Sequence, residues 1–254
     1  MTIEFLGTGT STGVPQIGCN CEVCKSTDTK DKRLRTSALV AVDGTNLLLD
    51  CSPDFREQIL RSVNKNIDAL LVTHSHYDHV GGVDDLRPYC AKSQGGAFPI
   101  YARHDVLDDL RNRLPYCFKE HPYPGVPKFN LHEIGDAPFS INGIIITPLP
   151  VMHAQLLING YRINNMAYIT DAKTISEDTI AKIKGIDTLI INSLRIKPHM
   201  SHMSLEESLS VIRKVSPRVA YLTHMSHDMG MYKEATKLLP ANVHFAYDGM
   251  VIAT

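Results

Sequence analysis

Three imidazoles and a carboxylate within six residues constrain this chain more than any other feature. They follow the nearly continuous apolar run 68–73, which suits a strand covered on both faces of a sheet. His74 and His76 point to one side of an extended or turning segment. Asp78 and His79 can then turn towards a neighbouring position at the start of a following helix. One short loop can therefore serve two first-row metal ions a few ångströms apart.

Three more ligand-type residues follow apolar runs elsewhere in the chain. They are His153, Asp171 and His224. The ends of several strands can converge on one rim of a fold, so these residues can complete two coordination shells. A solvated polar loop is the alternative for positions 74–79, and four ligand-type side chains in six positions disfavour it.

Cysteines form a second cluster. Cys19, Cys21 and Cys24 have the spacing Cys-x-Cys-x-x-Cys, and the N-terminal residues show neither the basic nor the long apolar part of a signal peptide. Disulfides are therefore disfavoured, and the thiols are interpreted as soft metal ligands. A closed tetrahedral zinc site needs a fourth ligand, for which His227 is the best candidate. Free buried thiols or a redox cluster are the alternatives.

Apolar runs separated by turns occupy both halves of the chain and predict strands. The predicted strands lie at 3–6, 38–42, 46–49, 68–73, 144–147, 166–170, 188–191 and 219–223, with Asp43-Gly44 as a hairpin turn. Helices are predicted at 104–114, at 176–183 and after Ser204, where Glu207 completes a capping-box pattern. This order favours two packed sheets with outer helices, and periodicity alone leaves a doubly wound α/β sheet open.

Length and charge narrow the class of protein. The 254 residues suit one large α/β domain or two small ones. Lys and Arg number 26 and Asp and Glu 27, a balance that does not favour nucleic acid or an anionic membrane as a partner. No run approaches the roughly 18 apolar residues of a membrane span, so we expect a cytoplasmic protein. Four prolines between Pro115 and Pro127 predict an ordered surface loop or lid.

The ligand order resembles the signature of the metallo-β-lactamase superfamily, and the similarity extends from Gly7 to Gly249. The resemblance implies an α/β (α+β) fold, an αββα sandwich with a dinuclear site at its edge, and a single hydrolase domain over residues 1–254. It also implies which side chains hold each ion. One ion would be bound by His74, His76 and His153, the other by Asp78, His79 and His224, with Asp171 between them. Zinc and manganese both suit such ligands.

The cysteine cluster looks like that of the branch containing phosphoribosyl 1,2-cyclic phosphate phosphodiesterases, which pairs a structural zinc with the dinuclear site. This resemblance implies a structural zinc here and a catalytic role for His202, within the stretch Pro198–Ser204. The resemblance also allows a homodimer. Nothing in the sequence identifies further substrate-binding residues. Arg195 is either a ligand for a sugar phosphate or part of a structural salt bridge.

The predicted activity is hydrolysis of a small, cyclic phosphodiester. Two ions would share a bridging water and make hydroxide available near neutral pH. His202 would contact the phosphate or protonate the departing alkoxide, because imidazole titrates near neutral pH. Asp78 would bind a metal ion and orient the site, and would not act as a free base.

Three alternatives share the same fold. A ribonuclease Z-like tRNA nuclease would need a projecting basic arm, which is not evident in the sequence. A lactonase or thioesterase would use the same hydroxide on a carbonyl. A non-catalytic binding protein of the quinone-cofactor-biosynthesis type is disfavoured by the complete set of metal ligands.

Overall fold

The structure is a computed structural model that describes residues 1–93, 96–121 and 123–254. Its strands are β1 Thr2–Gly7, β2 Ser37–Val42, β3 Thr45–Leu49, β4 Ala69–Leu71, β5 Phe98–Ala102, β6 Phe129–Glu133, β7 Phe139–Ile141, β8 Ile144–His153, β9 Leu156–Ile163, β10 Met166–Ile169, β11 Thr188–Asn192, β12 Val219–Thr223, β13 Val243–Phe245 and β14 Val251–Ala253. Its α-helices are α1 Glu22–Lys25, α2 Phe55–Arg61, α3 Tyr77–Val80, α4 Arg87–Cys90, α5 His104–Arg113, α6 Glu177–Ile183, α7 Leu205–Val215 and α8 Tyr232–Ala235.

The strands form two seven-stranded mixed sheets. The first has the order β14-β1-β2-β3-β4-β5-β6, antiparallel up to β3 and parallel from β3 onwards. The second has the order β13-β12-β11-β10-β9-β8-β7, parallel from β13 to β10 and antiparallel beyond. The carboxyl ends of parallel strands lie on one edge of a sheet, so the loops after β4, β10 and β12 can approach one another.

Three apolar cores hold four layers together. The core between the sheets includes Phe5, Leu47, Tyr161 and Tyr168, all at most 1% exposed. A second core joins the second sheet to α6, α7 and α8, and a third joins the first sheet to α2, α4 and α5. Each fully buried Leu, Ile or Phe contributes about 1.5–3 kcal/mol relative to an exposed one. The predicted αββα sandwich is confirmed, and the doubly wound alternative is wrong.

Local sequence signals are found where they were expected. Asp43 and Gly44 have φ values of 46° and 80° and connect β2 to β3 in the predicted hairpin. Helix α7 begins after Ser204 with the full capping box, in which Glu207 accepts a hydrogen bond from the Ser204 backbone. The sequence analysis did not predict the strands β5, β6, β7, β9, β13 and β14 or the helices α1, α2, α4 and α8.

The proline-rich segment is held to the body of the protein by two side chains. Pro115–Phe118 form a short 3₁₀ turn, Tyr116 donates its hydroxyl to Asp84, and Arg87 donates to the carbonyl of Gly125. One of its prolines, Pro122, lies outside the described residues. Among the helices that the structure describes, none is both long enough and apolar enough to cross a membrane.

Candidate active site

The predicted ligands meet at one edge of the sandwich because each follows a strand there. His74 and His76 come just after β4, and Asp78 and His79 lie in the following helix α3. His153 is the last residue of β8. Asp171 and His224 follow β10 and β12, where both have positive φ values of 57°. This left-handed backbone is uncommon for residues other than glycine and is frequent at functional sites.

The first group of candidate ligands consists of four buried side chains, Asp171 and three neighbours of its carboxylate. His79 Nε2 lies 3.2 Å from Oδ2 of Asp78 and 3.4 Å from Oδ1 of Asp171. His224 Nδ1 lies 3.1 Å from the same oxygen of Asp171. Ligand atoms bound to one ion at about 2.0–2.2 Å are separated by about 3–3.4 Å, so the spacing fits a divalent cation.

The other predicted ligands lie on the opposite side of Asp171. His74 Nε2 is 3.0 Å from Nδ1 of His76 and 3.8 Å from Oδ2 of Asp171. The ring of His153 lies 5.7 Å from the ring of His74 and 5.1 Å from that of His76. The structure thus brings all seven predicted ligands together, with Asp171 in contact with both groups.

Hydrogen bonds at Nδ1 orient three of the rings. His153 donates from Nδ1 to the carbonyls of Asp171 and Ser201, at 2.8 and 2.9 Å. His79 donates from Nδ1 to Asp50, and His74 donates from Nδ1 to the hydroxyl of Thr73. In each ring the hydrogen bond at Nδ1 leaves Nε2 directed into the cluster. Within the described part of the chain, no hydrogen-bond partner reaches the buried His79 Nε2. A bound cation would satisfy it.

Asp50 is a functional residue that the sequence analysis missed. It is completely buried, and its Oδ2 accepts hydrogen bonds from His79 Nδ1 at 2.7 Å and from Thr73 Oγ1 at 2.9 Å. Its Oδ1 accepts from the Thr73 amide at 2.8 Å. Acceptors of this kind orient ligating histidines and fix their tautomer. The available signal was an aspartate after an apolar run, the same signal that identified Asp171.

The ionisable groups of the cluster shift one another strongly. Burial would raise the pKa values of Asp78 and Asp171, but the neighbouring histidines hold both below their usual range. Burial would lower the pKa of His79, but Asp171, Asp78 and Asp50 raise it well above its ordinary value. Burial lowers the pKa values of His74, His76 and His224. Ionised carboxylates beside the neutral rings of His74, His76 and His224 are donors that divalent cations prefer, and His79 would join them on losing its proton.

His202 lies next to the candidate metal ligands. Its ring is 4.6 Å from that of His153 and 5.0 Å from that of His224, and its Nδ1 is 3.8 Å from Asp171. Burial lowers the pKa of His202 to about 3, so the ring is neutral at pH 7. The sequence analysis expected a pKa of His202 near neutral pH, and burial of the ring places the pKa well below that value. A neutral ring favours hydrogen bonding to a phosphate over protonation of a leaving group.

Arg195 is engaged within its own loop. Its guanidinium donates to the carbonyls of Lys197 and Pro198, and it lies 3.8 Å from the carboxylate of Asp228. Of the two roles considered for Arg195, the structure therefore favours the structural one.

The cysteine cluster converges on the histidine expected from the sequence. Nδ1 of His227 lies 3.2, 3.4 and 3.3 Å from the sulfurs of Cys19, Cys21 and Cys24. Tetrahedral zinc with bonds of about 2.3 Å to sulfur and 2.0 Å to nitrogen separates such atoms by about 3.5 Å. The amide of Cys24 donates to Cys21, which with smaller contributions lowers the pKa of that thiol to about 6, whereas burial raises the pKa of Cys24 to about 11. The four side chains fit a closed zinc site.

Known proteins are similar to this chain over most of its length. A curated relative from Porphyromonas gingivalis, named Octanoyltransferase, is 44% identical over 253 residues, which are 98% of this chain and 51% of the relative. The chain therefore spans about half the length of that relative. A crystal structure described as a new diphosphatase from the PhnP family is 38% identical, with a TM-score of 0.92, and the match covers 99% of this chain and 96% of that one.

More distant proteins show the same fold. Zinc-bound PqqB from Methylobacterium extorquens has a TM-score of 0.80 at 22% identity, over the full length of both chains. The family described as Beta-lactamase superfamily domain matches residues 45–225, which include every predicted ligand of the dinuclear cluster. The chain belongs to the metallo-β-lactamase superfamily, whose members are typically hydrolases that bind divalent metals.

Proposed function

We propose that the chain is a metal-dependent phosphoric diester hydrolase that acts on a small substrate, with cyclic diesters such as phosphoribosyl cyclic phosphates as the first candidates. The observation that carries this proposal is the cluster that Asp171 forms with the six other candidate ligands, His74, His76, Asp78, His79, His153 and His224. The 38% identity to a diphosphatase supports phosphorus as the reacting centre. The proposal treats residues 1–254 as one domain, because both sheets contribute ligands.

The ligands divide into two sets. In our proposal His74, His76 and His153 hold one divalent ion, Asp78, His79 and His224 hold the other, and Asp171 bridges them. Asp171 is suited to bridging because its Oδ2 faces His74 and its Oδ1 faces His79 and His224. Zinc and manganese both suit these donors.

The protein's own residues position the reaction. Divalent ions held here would supply a nucleophile by lowering the pKa of water and would neutralise charge on the phosphate. His202 donates a hydrogen bond to a non-bridging phosphate oxygen, a role that its neutral ring allows. Asp78 acts as an orienting ligand and not as a free base, because neighbouring His79 keeps it ionised.

The cysteine site has a structural role in this proposal. Cys19, Cys21, Cys24 and His227 would fill all four positions around a zinc ion, which leaves none for substrate. The described residues include all six cysteines, none of which is in a disulfide, and a reducing cytoplasm would keep their sulfurs reduced.

His76→Ala tests the assignment directly. His76 is exposed at the mouth of the cluster, so its truncation should remove site metal and hydrolysis of bis(p-nitrophenyl) phosphate while the protein stays folded. Metal analysis and circular dichroism should accompany the assay. Unchanged turnover would refute the assignment. Comparing cyclic ribose phosphates with linear diesters then ranks the substrates.

Acyl ester or thioester hydrolysis is the second candidate. The observation that favours it is the name of the half-covered curated relative, Octanoyltransferase, which denotes acyl chemistry. The same nucleophile can attack a carbonyl carbon. A parallel assay with p-nitrophenyl octanoate discriminates, because a true diesterase should show the larger kcat/KM for phosphodiesters.

A further inference from the structure

The ring of His199 lies beside the candidate metal ligands, next to His202. The two ring centres are 5.4 Å apart, and the planes are inclined at 37°. The ring of His202 in turn lies 4.6 Å from that of the candidate ligand His153. Three imidazoles thus form a row that starts at the cluster, and His199 at its end is partly exposed.

Ser201 holds His199 and His153 at the same time. The backbone amide of Ser201 donates to Nδ1 of His199 at 3.3 Å, and the hydroxyl oxygen of Ser201 lies 3.2 Å from the same nitrogen. The carbonyl of Ser201 accepts a hydrogen bond from Nδ1 of His153 at 2.9 Å. One residue therefore fixes the position of His199 relative to a candidate metal ligand.

The proton of the His199 ring is on Nε2. A backbone amide can only donate, so the nitrogen that faces the Ser201 amide, Nδ1, carries a lone pair. Burial lowers the pKa of His199, and the positive charges of Arg195 and Lys173 lower it further, which keeps the ring neutral at pH 7. Within the part of the chain that the structure describes, His199 makes hydrogen bonds at Nδ1 and none at Nε2. His199 thus presents an N–H donor without an acceptor beside His202.

The charges around His199 favour an anion as the acceptor. Three cations near His199 outnumber the two carboxylates that pair with them. The cations are Arg195, Lys173 and Lys197, and the carboxylates belong to Glu207 and Asp228. Arg195 also donates to the carbonyl of Pro198, directly before His199, at 2.8 Å. An N–H donor in such a positive environment suits a phosphate oxygen, because hydrogen bonds to an ionised acceptor are stronger than those between neutral groups.

We propose that His199 is a second phosphate-binding residue, which donates a hydrogen bond from Nε2 to a phosphoryl oxygen of the substrate beside the one that His202 contacts. The inference rests on the proposed function and adds a substrate-binding residue to it. Loss of a hydrogen bond to a charged group typically weakens binding by about 10- to 100-fold. Because His199 is partly exposed, we expect an effect at the lower end of this range.

The test measures binding of a phosphoryl group separately from turnover. Phenylphosphonate is titrated calorimetrically into the zinc-loaded protein, and azide is titrated in parallel as an anion that binds zinc ions but has no phosphoryl oxygen. His199→Phe removes the donor, so phenylphosphonate should bind about tenfold more weakly while the affinity for azide stays unchanged. His199→Gln can place an amide N–H near the position of Nε2, so it should bind phenylphosphonate within about threefold of the native affinity.

His132→Phe is the matched control. His132 is also partly exposed, but it lies on β6 of the first sheet and stacks on Tyr101 at 4.4 Å. Its substitution should change neither affinity. A second measurement needs no substitution at all. In the zinc-loaded protein labelled with ¹⁵N-histidine, the chemical shifts of the ring nitrogens report the tautomer, and we expect the proton of His199 on Nε2.

The outcomes separate this inference from the proposed function. A loss of affinity for both ligands in His199→Phe would assign His199 to support of the metal site and overturn the inference. An unchanged affinity for phenylphosphonate, or a proton on Nδ1, would overturn it as well. A selective loss that His199→Gln restores would support it. If that selective loss appears without hydrolysis of any phosphodiester, the proposed function fails and the assignment of His199 to a phosphoryl oxygen stands.

Discussion

Asp50→Asn should weaken metal binding at both halves of the dinuclear cluster, although Asp50 is not itself a predicted ligand. The carboxylate accepts from His79 directly and from Thr73, whose hydroxyl in turn accepts from His74. One buried group thus orients a histidine on each side of Asp171. An asparagine has a single acceptor oxygen, so its amide must face a donor at one of these positions.

The geometry allows two arrangements of the new side chain, and both are unfavourable. With the amide nitrogen at the Oδ1 position, it opposes the Thr73 amide, which donates at 2.8 Å in the native protein. With the nitrogen at the Oδ2 position, it opposes Nδ1–H of His79 and forces the tautomer in which Nε2 carries the proton. Loss of such an orienting partner typically costs about 10–100-fold in metal affinity, or about 1.4–2.7 kcal/mol.

Chelator competition at pH 7 measures the effect, with zinc and with manganese. Asp54→Asn is the matched control, because Asp54 lies four residues away and binds Arg35 at 2.6 Å in a partly exposed pair. That pair contributes at most about 1 kcal/mol to stability and touches no predicted ligand. If Asp50→Asn binds both metals within threefold of the native affinity, the orienting role is refuted.

Three further predictions concern the remaining groups. His202→Ala should keep both metals and lower kcat for a phosphodiester by about 100-fold, as measured by metal analysis and steady-state kinetics, and native kinetics would eliminate its role. Cys21→Ser should remove one zinc ion per chain and lower Tm by about 5–10 °C in calorimetry, since an ion at 100 times its Kd contributes about 2.7 kcal/mol, whereas Cys117→Ser should change neither. Metal uptake should release a proton and tighten as pH rises, because the metal-free protein has a raised pKa at His79. The protonated ring stabilises the metal-free fold below about pH 6.5, and this contribution disappears as pH rises through the raised pKa. Calorimetry in two buffers of different ionisation enthalpy counts the proton, and no buffer dependence would contradict the assignment.

The sequence predicted the candidate ligands because they lie at the end of an apolar strand or in the short segment that follows one. Convergence of strand ends on one edge then follows from general rules of parallel pairing. Asp50 occupies an equivalent position after β3, but an aspartate there is equally typical of a turn. Only its contacts with Thr73 and His79 show its role.

Other features depend on tertiary structure alone. The strand β9 contains Asn159 and Gly160 at its centre, which weakens the strand pattern, and it forms because β8 and β10 flank it. The pKa of His202 depends on burial between His153 and His224, rings that are far away in sequence.

The short segment after β12 has a thermodynamic consequence. His224 belongs to the dinuclear cluster and His227, three residues later, to the cysteine site, while Met225 between them exchanges backbone hydrogen bonds with Thr8 and Thr10. Occupancy of either site restricts the same stretch of backbone. Because the second ion then has less backbone to order, we expect zinc at the cysteines to raise the affinity of the cluster for its ions. Linkage requires that the cluster's ions change the affinity of the cysteines for zinc by the same factor. The chain should therefore load its metals cooperatively.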